Sequence, residues 1–576
     1  MKSVWKTRHA GDLPPVEFQG PIPAPVKRVL ASRGLTDATQ IENFLFPKLQ
    51  SLKDPMTMKN MDIAVDRFAK AYKDKEKIAV YCDFDLDGTS GLALMMAALR
   101  GFGYENLVPY QPSRLAEGYG FHPEAVEALA KENVSLIITV DVGITAVAAA
   151  DKAKEVGVDV IITDHHLPAE ELPKALAVVN PNQSGDTSGL GYLSGAGVAF
   201  YFLRALKRKL SEDGIRDAKE YDLKEVLEFF TIATLTDMVP LIDDNRVLVK
   251  HGLVRMSQTD RPGLKALKNI LGLEGRELSS QDVAIKLAPK LNALSRMGSD
   301  ILPIHVLLCD DHKAARQLVG RVLENNQVRV QMQAEAQTEL ENVLATAKSQ
   351  PYVFMASSRF HRGLVGLLAT KVSQDTQKPS FVGAIDPETG SVVGSARRPN
   401  GFDGCLVEIL GQAKDHLKRF GGHSQAAGFE FEAQNLEAIK ACFDKYFEEQ
   451  QFKSIVPEVF YDTELEFSEI SPQLMKWLEF LGPYGARFEA PVFCFKGVKL
   501  HGVKELKGGH LRLTCLSKEA QAVQEGLLFS PTPYQREILT ERSTSYDILG
   551  ELQWNYYNGQ KNVQLLVKDL RVSLWQ

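Results

Sequence analysis

The sequence predicts an α/β fold organised around a mainly parallel sheet, and three observations carry that expectation. Short branched apolar runs, KIAVYC from Lys77, SLIITV from Ser135 and DVIIT from Asp159, are separated by stretches of helical apolar spacing, the pattern of βαβ units. The runs do not alternate polar with apolar residues, which suits strands covered on both faces. Each run also ends in acids or histidines: Asp83, Asp85 and Asp87; Asp141; and Asp164, His165 and His166. In an open parallel sheet the C-terminal strand ends face one common crevice, where ligands bind.

The elements follow in order. Residues 1–60 read as a Pro-rich N-terminal arm with short helices, one of them capped by Thr36. Residues 61–240 carry the main α/β unit. It opens with the helix MDIAVDRFAKAYK, whose apolar positions are Ile63, Val65, Phe68 and Ala69. The strand from Lys77 follows, then a helix starting at Thr89 or Ser90, with LVPY and ALAVV as further strands. Residues 241–350 are a mainly helical connecting region with one long polar stretch from Ala314 to Ala347. Residues 351–452 resume the βα alternation as a smaller α/β domain containing FGGHSQAAGF. Residues 453–576 hold strands separated by Gly turns, a β-barrel or sandwich pattern.

Composition excludes several classes. With 576 residues, 44% hydrophobic and 24% charged, the chain is a folded, multidomain protein rather than a disordered one. No apolar stretch reaches about 18 residues and no apolar segment follows the charged N-terminus, so membrane spanning and secretion are not expected. Six cysteines without CxxC spacing argue against a zinc cluster or disulfide scaffold and fit a cytoplasmic location. A net charge of -6 does not decide the partner, because a local positive groove can sit on an acidic chain.

The chemistry concentrates in YCDFDLDGTS. Read as extended chain, positions i and i+2 share a face, so Asp83, Asp85 and Asp87 point one way and repel unless cations neutralise them. Gly88 permits a tight turn and close backbone approach. An EF-hand would need Glu at the twelfth loop position, and counting from Asp83 that residue is Leu94. Two imidazoles with several carboxylates match Mn²⁺, and after it Mg²⁺, better than a thiolate zinc site. Asp237, in TLTDMVP, is a further acid. These acids exceed the needs of one hard cation, whereas two metals sharing a carboxylate suit phosphate-ester or pyrophosphate hydrolysis. The absence of GxxxxGK[ST] disfavours an ATP-driven motor.

In this order, Asp83 to Ser90, Asp141, Asp164-His165-His166 and Asp237 resemble the successive motifs of the DHH phosphoesterase superfamily. The whole chain resembles its RecJ branch, the bacterial single-strand-specific 5′ to 3′ exonucleases. The resemblance extends through EGYGF from Glu117, Asn180-Pro181, Asn245-Arg246, APKLNALSRM from Ala288, FHRG from Phe360, GSAR from Gly394 and GGHSQAAGF from Gly421. It implies a DHH-type catalytic domain, a DHHA1-type DNA- or phosphate-binding domain and an OB-like single-strand-binding region. It implies two catalytic Mn²⁺ or Mg²⁺ ions, Mn²⁺ favoured, held by Asp83, Asp85, Asp87, Asp141, His165 and Asp237. Asp141 is the expected bridge and His166 the neighbour of the scissile phosphate. Hydrolysis would release 5′-mononucleotides. Three positions depart from the family pattern: Cys82 where Gly is common, Val142 where Asn or Cys is usual, and Ser295 where Gly is frequent. None removes an expected ligand, but Cys82 and Val142 are close enough to alter ligand orientation.

The same resemblance assigns phosphate or DNA contacts to His166, Arg296, His361, Ser395, Arg397, Gly421, Gly422 and His423. Lys414, Lys418 and Arg419 read as a modest basic helical face that would extend this track. Trp554, Tyr556 and Tyr557 are candidates for base stacking, as in other OB-type binders, beside the alternative that they serve the barrel core. The implied partners are single-stranded DNA, a helicase and a single-strand-binding protein, with no membrane and a monomeric state. Two other functions compete: a DHH-type nanoRNA or cyclic-dinucleotide phosphodiesterase, and a non-enzymatic nucleic-acid-binding scaffold. The N-terminal arm and long tail are superfluous for the first, and the intact acids and histidines weigh against the second.

Overall fold

The computed structural model describes residues 3–18, 20–114, 117–346, 350–450, 452, 456–517, 522–540, 545–557 and 560–573. Five strands form an all-parallel sheet in the order Leu107–Tyr110, Lys77–Cys82, Val134–Val140, Asp159–Thr163, Ala177–Val179. Alternate side chains enter two different cores. Ile78, Val80 and Cys82 pack beneath the helices Met61–Asp74, Leu86–Gly101 and Gly195–Glu212. Ala79 and Tyr81 pack with Val126, Leu129, Ala149 and Ala153 of the helices Pro123–Lys131 and Val147–Glu155. Burial on both faces explains the unbroken apolar runs.

Two local expectations shift. In the helix Met61–Asp74 the buried face is Met61, Val65, Phe68 and Ala69, spaced i, i+4, i+7 and i+8, whereas Ile63 lies on the opposite side and is exposed. The second N-terminal helix is capped by Asp37, whose carboxylate accepts from the Gln40 N–H, and not by Thr36.

The connecting region is helical and includes a π-helical turn, Asp282–Leu287, that runs directly into the helix Ala288–Arg296. A helix from His312 to Thr346 then leads to a second five-stranded sheet. There only Val353–Ser357 and Ser380–Ile385 pair in parallel; the remaining neighbours are antiparallel. Tyr352, Phe354, Phe381, Phe429, Phe431 and Phe443 fill its core. In the C-terminal sheet the long strand Val492–Glu505 is bulged and pairs with both Leu511–Leu516 and Ser545–Tyr557. That double pairing closes the sheet into a barrel. No described helix is long and apolar enough to cross a membrane.

The N-terminal strand and the first two helices belong to the barrel half, whereas Leu49, Leu52 and Met58 pack on the catalytic core. Val4–Thr7 pairs in parallel with Glu458–Tyr461, and Val26, Val29, Leu30, Ile41 and Leu45 share one core with Phe493, Phe495 and Ile548. Arg246, in the helix Asp243–Ser257, locks this half to the catalytic half. It is 4% exposed, and its guanidinium donates to the carbonyls of Leu481, Gly482 and Pro483 at 2.6, 3.1 and 2.9 Å. Phe44 and Phe488 stack on it, with centroids 3.7 and 4.7 Å from Cζ. Arg246→Met removes every donor while keeping the stem, so it should cost about 3 kcal/mol or more by orphaning buried carbonyls. Denaturant unfolding followed by the fluorescence of Trp5, Trp477 and Trp554, which all pack in the barrel half, would show it. A loss below about 1 kcal/mol would contradict this account.

Candidate metal centre and phosphate cleft

The register of the parallel sheet decides where the acids go. Cys82 pairs with Val140, Val140 with Thr163, and Thr163 with Val179, so the strands end level. The ladder runs one residue further, through Asp83 N–H to Val140 O, Asp141 N–H to Thr163 O and Asp164 N–H to Val179 O. Asp83, Asp141 and Asp164 therefore leave the sheet along one edge. Asp141 does so with φ at 64°, a left-handed conformation that side chains other than glycine rarely adopt.

Asp83, Asp85 and Asp87 converge, but not as an extended chain. The strand stops at Cys82 and the next helix begins at Leu86, earlier than Thr89 or Ser90. Asp85 is its N-cap, with Oδ1 accepting from the N–H groups of Asp87 and Gly88 at 2.9 and 3.1 Å. A Cβ on Gly88 would lie 2.7 Å from the Asp83 carbonyl oxygen, so glycine lets the helix start against that backbone. Asp87, now helical, is gripped from across the site by another helix N-terminus: Gly195 N–H donates to Oδ2 at 2.7 Å and Ala196 N–H to Oδ1 at 3.1 Å.

His165 and His166 separate in role. Nε2 of His165 lies 3.2 Å from Asp141 Oδ1, 3.6 Å from Asp237 Oδ2 and 3.9 Å from Asp87 Oδ2. Burial lowers the His165 pKa against the pull of Asp87, which favours the neutral imidazole a metal needs. His166 turns Nδ1 to Asp164 Oδ1 at 2.8 Å. Burial alone would depress its pKa, yet the Asp164 hydrogen bond and charge raise it to about 9. Asp164 also accepts from the backbone N–H groups of Ile144, His165 and His166, so it holds the two histidines in place. Asn180 and Asn182 grip the carbonyls of His166 and His165 from the next loop.

Electrostatically the cluster is unfinished. Burial, then mutual repulsion, pushes the carboxyls of Asp83 and Asp141 well above the usual range, raises that of Asp87 and takes Asp237 to about 8. Asp83 Oδ1, Asp141 Oδ1, His165 Nε2 and Asp237 Oδ2 are buried without a hydrogen-bond partner. Such orphans are rare in native interiors. Three ligand groupings have all their donor atoms within 4.8 Å of one another: Asp83, Asp85 and Asp141; Asp87, His165 and Asp237; Asp141, His165 and His166. Divalent cations fit this donor set, since they would satisfy the orphaned atoms and neutralise the repulsion. Cys82 and Val142 point away from it, into the two cores of the sheet.

Beside the acids lies a cleft of ≈ 310 Å³ lined by Asp83, Asp85, Asp87, His166 and Asp237, and also by Phe84, Arg114, Tyr119, Asn292 and Arg296. Burial lowers the pKa of Arg114 against the pull of Asp85 and Asp83. Burial also takes that of Arg296 down to about 10, with repulsion from Arg114, Arg329 and Arg397 acting in the same direction. Arg397, whose guanidinium donates to Ser395 Oγ at 2.7 Å, is half-buried and close enough to Arg114 to be repelled by it. Among the described residues none of Arg114, Arg296 and Arg397 forms an ion pair. His361 sits on the turn that packs against Arg296, which donates to the Gly363 carbonyl at 3.3 Å.

The remaining residues expected from sequence lie elsewhere. Gly421, Gly422 and His423 are exposed on and after the edge strand Arg419–Gly422, at the end of the sheet where Ala426 pairs with Arg397. Lys418 and Arg419 form no helical face: they pair with Glu432 and Glu430 across the strands. Trp554 and Tyr556 share a face of the barrel hairpin, but Lys561 lies over Trp554 and Arg276 over Tyr556, occupying ring faces a base would need. The Tyr557 side chain lies outside the described residues. Arg114, Tyr119 and Asn292 were not singled out from sequence, although EGYGF and KLNALSR flagged the segments of the latter two.

Comparison with known proteins agrees with this geometry. Residues 77–234 match the model of the DHH family N-terminal domain, 349–449 the DHHA1 domain and 461–569 the RecJ OB domain. The single-stranded-DNA-specific exonuclease RecJ of Bacillus subtilis is 33% identical over 96% of this chain and 68% of its own length. The Salmonella typhimurium protein of the same name is 30% identical over 96% and 97%. The chain belongs to the RecJ family. The crystal structure of RecJ with Mn²⁺ from Thermus thermophilus superposes with a TM-score of 0.78 at 28% identity, covering 99% of this chain and 79% of that one. The Mg²⁺ complex of the same protein gives 0.73 at 26% identity, covering 99% and 78%. As in its RecJ relatives, the chain uses divalent metal.

Gly195 generates a prediction. A Cβ there would stand 2.3 Å from Asp141 Cβ, so Gly195→Ala must displace Asp141 or loosen the helix end that holds Asp87. Mn²⁺ affinity should fall about 10- to 100-fold by titration calorimetry, with far-UV dichroism unchanged. Wild-type affinity would show that the glycine does not set the site.

Proposed function

We propose that the chain is a 5′ to 3′ exonuclease that degrades single-stranded DNA to 5′-mononucleotides by hydrolysing phosphodiesters at a centre of two Mn²⁺ or Mg²⁺ ions, Mn²⁺ preferred. The observation that carries the reading is the juxtaposition, in one cleft, of orphaned carboxylates with arginines that have no carboxylate of their own. The first attract cations and the second attract phosphate.

In this reading Asp83, Asp85, Asp87, Asp141, His165 and Asp237 would hold the ions, and Asp141 would be the ligand shared between them, because it belongs to two of the three groupings. When bound, the ions supply Lewis acidity toward the scissile phosphoryl oxygens and the attacking water. His166, with Nδ1 engaged by Asp164, presents Nε2 to a phosphoryl oxygen. Arg114, Arg296 and Arg397 take the terminal 5′-phosphate, which sets where the strand is cut. Phe84 and Tyr119, edge to face with centroids 6.3 Å apart, wall the cleft where the first nucleotide would lie. The bond that breaks joins phosphorus to the 3′-oxygen of that nucleotide. The same reading places the enzyme, as a monomer, beside a helicase and a single-strand-binding protein in DNA repair and recombination.

The test compares Mn²⁺-loaded protein on 5′-labelled single-stranded DNA, blunt duplex, short RNA and a cyclic dinucleotide. Mononucleotides released from the single strand are expected, and Asp141→Ala should lose activity by orders of magnitude. Hydrolysis confined to dinucleotides would refute the reading. Arg114→Ala should raise KM for a 5′-phosphorylated strand by about 10- to 100-fold, as loss of a charge-assisted contact predicts, and do less for a 5′-hydroxyl strand. An equal effect on both strands would remove Arg114 from the phosphate site.

A further inference from the structure

Between the metal centre and the barrel the chain passes from Asp237 through Met238 to Leu241, no more than about 14 Å of backbone. There the Leu241 N–H donates to the Ala486 carbonyl at 2.9 Å. Ala486 belongs to a tight turn closed by reciprocal backbone hydrogen bonds of 3.0 Å between Gly485 and Phe488. The turn is clamped from several sides. Tyr484 N–H donates to Ser280 Oγ at 3.1 Å, Arg246 grips the carbonyls of residues 481–483, and a Cβ on Gly485 would meet Leu241 Cδ1 at 2.6 Å.

Two residues at this junction are left-handed without being glycine: Met238 with φ 60° and Arg487 with φ 61°. Such strain persists only where the surroundings impose it, and it gathers at functional sites. Packing does not account for either side chain. Met238 is 75% exposed although it adjoins Asp237. Arg487 is exposed, and among the described residues its guanidinium has no hydrogen bond or ion pair. The carboxylates around the turn are already engaged, Glu489 by Arg8 at 3.0 Å and Asp462 by Arg33 at 2.6 Å.

We propose that this junction holds the DNA strand on its way between barrel and metal centre, Arg487 binding a backbone phosphate and Met238 packing on the base or sugar of a neighbouring nucleotide. The inference rests on the exonuclease reading above. A guanidinium suits phosphate geometry, and a flexible thioether accepts any base, so the step would be indifferent to sequence. The rigid clamp keeps the cation in place while the strand advances.

The experiment compares Arg487→Gln, Arg487→Gly and Met238→Ala with wild type, all Mn²⁺-loaded. Measured quantities are kcat/KM on a 20-nucleotide strand and on a dinucleotide, and the salt dependence of binding to a 20-nucleotide phosphorothioate strand. For each variant the ratio of kcat/KM on the long to the short substrate should fall, by about fivefold for the Arg487 variants. Both Arg487 variants should flatten the plot of log affinity against log salt by about 0.7, one phosphate contact on a single strand. Arg487→Gly should do so with a thermal midpoint no lower than wild type, since glycine accepts the left-handed backbone. Unchanged ratios and slopes would overturn the junction. A wild-type enzyme that leaves the 20-mer intact would overturn the exonuclease reading instead.

Discussion

Five carboxylates and an imidazole crowded into one largely buried volume constitute the interaction on which the rest of this structure depends. Left to themselves they repel, and burial makes the repulsion worse. The fold accepts that cost through devices that have no other evident purpose: a level sheet edge, a left-handed Asp141, an Asp85 spent on capping a helix, and an Asp87 held by the end of another helix. Each fixes a carboxylate through the backbone, so the chain itself aims the donor atoms at one another. Preorganisation of that kind removes reorganisation from the reaction itself.

Opposite charges share the cleft without consuming each other. Arg114 is close enough to feel Asp83 and Asp85, yet it stacks on the Phe84 ring, 4.7 Å from Cζ to centroid, and makes no ion pair among the described residues. Had the arginines paired with the acids, neither a cation nor a phosphate would find a vacant partner. The geometry keeps the two sets apart by deriving them from different elements: strand ends and the helix termini beside them for the acids, and for the arginines the loop after Tyr110, the helix Ala288–Arg296 and the second sheet. The arginines thus come from three separate parts of the chain, and only their docking brings them together.

Much of this was legible in sequence, for a physical reason. Doubly covered parallel strands must be apolar throughout, so their ends stand out wherever a polar residue appears, and Asp83, Asp141 and His165 could be placed at one sheet edge. What could not be read were interactions between residues far apart in the chain. Asp87 looked like the third member of an acidic strand, and only the N–H groups of Gly195 and Ala196 reveal why it points inward. Arg114 carries no signal of its own in the sequence. Nor could the cations beside Trp554 and Tyr556 be read, since Lys561 and Arg276 come from other strands and segments. The strand and two helices before Phe46 read as an arm because their core partners lie at the other end of the sequence.

That last placement bears on how the protein is made. The parallel pairing of Val4–Thr7 with Glu458–Tyr461 joins strands whose residues Lys6 and Glu458 are 452 positions apart. A ribosome therefore releases the N-terminal segment long before its partner exists. The catalytic sheet, whose neighbouring strands are close in sequence, has everything it needs to form in the interval. The apolar faces of the helices Ala24–Ser32 and Ala38–Leu45 must meanwhile wait uncovered. The chain thus closes on itself as a ring, and the nascent enzyme carries its own aggregation hazard until the strands from Glu458 onward arrive.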